Sequence, residues 1–146
     1  MDADYYFAIG LRLVDGQGLT EPFLWNYLDD PDGLPHIAHL YWMPLPSLIS
    51  AAGMWLTGLG FRGAQLPFVL LAAMLPPLSA FFGDRLSRDR RSAWMAGLFA
   101  ALPGFYLPFL VTTDSFATFA IVGSLSLWLM AMSIKNPLPG RWFLAG

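Results

Sequence analysis

The chain has 146 residues, 56% of them hydrophobic and 12% charged, with a mean hydropathy of +0.53. Soluble domains carry about 25% charged residues, so this balance excludes an ordinary water-soluble domain. The formal net charge is only −2 and there is no cysteine, which removes any disulfide framework, thiolate nucleophile or cysteine-based metal site.

The first 45 residues are acidic. Asp2, Asp4, Asp15, Glu21, Asp29, Asp30 and Asp32 face the single base Arg12, a net of −6. Asp2 and Asp4 stand where an ordinary signal peptide has a basic segment. A short helix is predicted over 4–14, with Asp2 as its N-cap and Tyr6, Ile9 and Leu13 at helical spacing. Asp15-Gly16-Gln17-Gly18 supplies the glycines that favour a helix end. From Glu21 to Pro46, Pro, Asp and Gly predict an external loop with turns at Asp30-Pro31-Asp32-Gly33 and Leu34-Pro35.

The remainder, 46–146, reads as a membrane region. Residues 46–60 are apolar but short, and are expected to form an interfacial helix, with Tyr41, Trp42 and Trp55 at headgroup level. No Asp, Glu, Lys or Arg occurs across 63–83, 92–113 or 115–134. Each stretch approaches the roughly 20 residues that cross a ~30 Å hydrocarbon core as a helix. The expected fold is therefore an all-α integral membrane protein with spans near 64–82, 93–111 and 116–134.

Charge gives the expected orientation. The connection 83–92 holds Arg85, Arg88, Arg90 and Arg91 against Asp84 and Asp89, a net of +2, and 135–141 adds Lys135 and Arg141. Lys and Arg in short loops prefer the cytoplasm. That places these two connections inside, and residues 1–45 together with the turn at Asp114 outside, in a cell membrane.

Acids are the main candidates for chemistry. Asp2 and Asp4 either stabilise a helix N-terminus against its macrodipole or offer a general base or metal ligand. They share one site only if the chain is not yet helical at Asp2, because residues two apart diverge by about 200° on a helix. Asp114 is expected to cap the next helix, and a capping acid can also face a polar cavity. His36 and His39, three apart, have the types needed to hold a metal or a phosphate, as does Asp29-Asp30-Pro31-Asp32 for a divalent ion; a solvated turn is the simpler reading of the latter. No glycine-rich phosphate loop, nucleophilic serine or nucleic-acid patch is present.

The order of these features resembles a known family. Asp2-Ala3-Asp4-Tyr5-Tyr6 opens a short helix that closes at Asp15-Gly16-Gln17-Gly18. A loop leads to Tyr41-Trp42-Met43-Pro44-Leu45-Pro46 and a small-residue helix ending in Gly58, then Ala64-Gln65-Leu66-Pro67 and the acidic turn at Asp114. This is similar to the N-terminal part of C-type (GT-C) membrane glycosyltransferases, especially glycosyltransferase family 39. That family includes protein O-mannosyltransferases, aminoarabinose transferases and RgtA/B/C/D-like enzymes; oligosaccharyltransferase catalytic subunits share the general layout.

The resemblance implies a sugar transfer from a polyprenyl-phosphate donor to an acceptor glycan, lipid or protein at the outer membrane face, with inversion. It implies Asp2 as catalytic base with Asp4 as second acid, and Asp114, Arg62, Tyr41 and Trp42 on the substrate-binding side. A divalent cation is compatible but not required. The family pattern often has Ala-Arg-Leu-Pro where this chain has Ala64-Gln65-Leu66-Pro67, and Arg62, three residues earlier on nearly the same helix face, is the candidate replacement. Because family members carry a span before the acidic pair and many helices after it, the chain is expected to be an N-terminal fragment, with Arg141–Gly146 starting another span. The competing expectation is a non-catalytic membrane subunit or transporter fragment whose acids are only caps and surface charge.

Overall fold

The computed structural model describes residues 2–24, 32–135, 140, 142 and 143. Helices dominate: α1 (Asp2–Val14), α2 (Leu45–Thr57), α3 (Phe61–Ser87), α4 (Arg90–Ala101), a 3₁₀ turn (Gly104–Tyr106), α5 (Leu107–Leu110) and α6 (Ser115–Lys135). Two short strands, β1 (Thr20–Glu21) and β2 (His36–Ile37), pair antiparallel, with Glu21 opposite His36. This ladder adds strand pairing to the ordered loop with turns expected there, and Leu34-Pro35 lies just before it as a cis peptide. The acids Asp29 and Asp30 and the connection beyond Lys135 lie outside the described residues.

α1 starts earlier than expected. Asp2 is its first helical residue rather than its cap, so Asp2 and Asp4 both lie in the first turn and diverge around the axis. The first turn of a helix has free N–H groups and a positive dipole end, which suits both carboxylates. Tyr5, Tyr6 and Ile9 form the buried stripe of α1, and with Ala38 they make a small core flanked by Leu19 and Phe23.

Small residues let the helices cross closely. A Cβ added to Gly10 of α1 would lie 2.9 Å from Ser50 Cβ of α2, and one added to Gly53 of α2 would lie 2.7 Å from Pro67 of α3. α2 has 13 residues, about 20 Å of helix, and is shorter than a ~30 Å hydrocarbon core.

Two helices, α3 with 27 residues and α6 with 21, are long and apolar enough to cross a membrane. The expected span at 93–111 is instead a broken one. α4 ends at Ala101, Pro103 and Gly104 interrupt it, and α4 meets the following 3₁₀–α5 segment at a bend of 51°. Proline cannot donate the next helical bond, and Gly104 takes a left-handed φ of 57° that glycine adopts without strain.

The connection expected over 83–92 is also much shorter. α3 runs to Ser87 and α4 starts at Arg90, leaving only Arg88 and Asp89 between them. Arg88 closes α3 in a left-handed conformation, and the extended Asp89 accepts a hydrogen bond from the Ser92 N–H.

Candidate functional site

The site is built where the N-terminus of α1 meets the turn before α6. Tyr6 is 3% exposed. Its phenol pKa is raised, first by burial and then by the negative charges of Asp114 and Asp2. These two carboxylates, 112 positions apart in sequence, therefore act on one ring. Both favour its protonated, hydrogen-bond-donating form.

The turn carrying Asp114 is clamped from two sides. The fully buried Thr113 hydroxyl donates to the Ala3 carbonyl of α1 at 2.7 Å. The Gln65 side-chain amide of α3 donates to the Val111 carbonyl at 2.7 Å. Within the turn, Asp114 N–H donates to the Thr112 carbonyl at 2.8 Å. Asp114 Oδ1 accepts from the Ser115 N–H at 2.6 Å, so this acid stabilises the start of α6 as its position suggested. Asp114 is 7% exposed, whereas Asp2 and Asp4 are exposed.

Gln65 thus has a structural partner at the position where the family resemblance expects a cation. Arg62, one turn earlier in α3, is exposed, and its neighbour Phe61 packs edge-on to Phe7 of α1 with ring centroids 5.5 Å apart. This contact brings the start of α3 beside the second turn of α1. Tyr41 and Trp42 are 57% and 40% exposed and follow His39, whose backbone N–H donates to Tyr5 Oη at 2.8 Å. That bond ties the stretch leading to them to α1.

The two histidines go to different tasks. His36 Nε2 lies 3.0 Å from the buried Glu21 carboxylate across the β1–β2 pair. His39 packs edge-on to Tyr5 and stacks on Tyr6; burial lowers its pKa, with the Trp42 backbone opposing. Burial also raises the pKa of Tyr5, the His39 backbone N–H opposing and Glu21 adding to the rise. Among the described residues, no group of three or more His, Asp or Glu side chains is placed to hold a metal ion.

An apolar groove of about 230 Å³ starts beside the acidic turn. Met43, Leu45 and Pro46 form one wall, and Ser115, Thr118, Phe119, Val122 and Gly123 of α6 form the other. Thr118 is 6% exposed and its hydroxyl has no hydrogen-bond partner. Sequence reasoning named Asp2 and Asp114 but missed Tyr6, Thr113, Gln65 and Thr118. Only the juxtaposition of two tyrosines with the acidic pair hinted at the first.

Comparison with protein-family models, with curated proteins and with solved structures finds no match for this chain.

Proposed function

We propose that the chain is the acidic-site part of a membrane glycosyltransferase that uses a polyprenyl-phosphate sugar. The observation that carries this reading is the Thr113–Ala3 hydrogen bond, which holds the Asp114 turn against the first turn of α1, beside an apolar groove that runs along α6. A lipid-linked donor needs both kinds of surface side by side, a polar one for the sugar phosphate and an apolar one for the chain.

In the proposed reaction Asp2, the exposed acid, accepts the proton of an acceptor hydroxyl or amine. The acceptor atom bonds to the anomeric carbon as the bond from that carbon to the phosphate oxygen breaks. The lipid phosphate leaves with the bonding electrons, and the configuration inverts. Arg62 is the proposed cation for the growing phosphate charge, and Tyr41 and Trp42 offer ring faces to the sugar or lipid. Asp114, with one oxygen on Ser115, orients rather than accepts. The substrate side faces outward in this reading, with the Arg85–Arg91 connection in the cytoplasm.

The test is Asp2→Asn in the protein expressed from its gene, assayed in membranes for transfer from polyprenyl-phosphate sugars. General-base loss predicts a rate about 10²–10⁴-fold lower, with unchanged membrane insertion. A variant that transfers sugar normally overturns the role of Asp2. The hydrogen bond from Ser115 N–H to Asp114 also favours a second reading, a non-catalytic membrane subunit. In that case Asp114→Asn lowers stability and no Asp2 variant changes any chemistry.

A further inference from the structure

The corner between α3 and α4 concentrates positive charge that the proposed sugar-transfer chemistry does not use. Arg85, Arg88, Arg90 and Arg91 are all exposed. Arg85 lies over the Phe81 ring at 5.1 Å. Among the described residues none of the four guanidinium groups is within ion-pair distance of a carboxylate. The nearby Asp89 is committed elsewhere: its carboxylate accepts from the Ser92 N–H and hydroxyl, both at 3.0 Å. Those bonds hold its pKa below the ordinary carboxylate value.

The placement of the charges is informative. Arg85 sits in the last turn of α3, where the macrodipole favours a cation. Arg90 and Arg91 open α4, where the macrodipole and the free N–H groups favour an anion. An orientation signal needs only net positive charge; it does not need two arginines set against a helix dipole. Asp89 caps α4 and Asp84 lies in the last turn of α3, yet the four arginines still leave the corner at a net of +2, which favours a further anion. Leu86 and Trp94, 77% and 69% exposed, flank it, and behind it lie two long apolar surfaces.

We propose that the α3–α4 corner binds the headgroups of acidic phospholipids. Arg88, Arg90 and Arg91 donate hydrogen bonds to phosphate oxygens, and Leu86 and Trp94 lie along the upper acyl chains. Charge complementarity selects the headgroup, and the apolar flank selects a lipid over a soluble anion. The inference rests on α3 and α4 being embedded in a bilayer.

The test uses the whole chain in mild detergent, titrated with dibrominated phosphatidylglycerol or dibrominated phosphatidylcholine, which quench tryptophan fluorescence on contact. The difference between the native chain and Trp94→Phe isolates the signal of the corner. Phosphatidylglycerol should quench Trp94 with an affinity about fivefold or more above that of phosphatidylcholine, a preference that falls in high salt. The R85Q/R88Q/R90Q/R91Q chain should lose it while keeping its far-UV dichroism. The milder R90Q/R91Q pair should lose more of it than R85Q/R88Q, because it removes the cations at the anion-favouring helix end. Equal quenching by the two lipids in the native chain, or an unchanged preference in both R85Q/R88Q/R90Q/R91Q and R90Q/R91Q, overturns the proposal. Displacement of phosphatidylglycerol by inorganic phosphate at equal concentration overturns it in favour of a free-anion site. Absence of quenching by either lipid removes the membrane reading along with it.

Discussion

The end built from α1, the two strands and the 111–114 turn is held together differently from the long helices α3 and α6. At the first, aromatic rings and side-chain-to-backbone hydrogen bonds between residues distant in sequence make a small buried core in the manner of a water-soluble protein. Tyr5, Tyr6 and Ile9 are each at most 3% exposed. In α3 and α6 the most apolar stretches are only 6% and 22% buried within the chain. Their large exposed hydrophobic side chains are Leu, Phe, Val, Met and Ile. Such a surface is stable when lipid or further helices replace water against it. One chain therefore carries two kinds of surface.

That contrast can be broken by mutation. Ile9→Ala at the polar end should cost about 2–5 kcal/mol, whereas Leu127→Ala on α6, 69% exposed, should stay within about 0.5 kcal/mol. Chemical unfolding in micelles measures both, and equal costs would erase the distinction. Gly53→Leu forces a side chain against Pro67 and should cost about 1–3 kcal/mol, read as a lower midpoint for the whole helical unit because it parts α2 from α3.

Thr113→Val and Gln65→Leu each delete one clamp of the Asp114 turn, and each should cost about 1 kcal/mol. Hydrogen exchange at residues 111–115 should rise in both, with the far ends of α3 and α6 unchanged.

The pH responses should be smallest and confined to the polar end. Tyr5 is held protonated by burial, so its contribution is full below the unfolded tyrosine value of about 10 and falls as pH rises above it. His39 is held neutral, so its contribution is full above about 6.5 and falls as pH drops below. Near-UV dichroism of the tyrosines should report both losses, while far-UV helix content persists.

The long helices were legible because uncharged runs of nearly membrane thickness have few other meanings. The broken segment was not, since counting charges over 93–111 passes over Pro103-Gly104, the dipeptide that ends α4. The two-residue strands carry too little pattern to be read. Asp2 and Asp114 stood out because an acid at the edge of an apolar run is conspicuous. That their two segments pack together was not readable, because the Thr113–Ala3 bond that joins them spans 110 positions. Gln65 looked like a missing cation, and only the packing of α3 against the turn revealed its work as a donor.

The break after Ala101 divides residues 90–110 into two short pieces. α4 has 12 residues, about 18 Å of helix, so only that distance separates the arginines at its start from the interrupted backbone at its end. The backbone is partly re-satisfied across the break by Leu102 N–H to the Phe99 carbonyl at 3.3 Å and Tyr106 N–H to the Pro103 carbonyl at 3.2 Å. The groove beside the break is apolar, lined by Val69, Ala72, Ala73 and Pro76 of α3. By length, α4 alone therefore covers little more than half of a ~30 Å hydrocarbon core, and the remainder falls to the 3₁₀–α5 segment set at 51° to it.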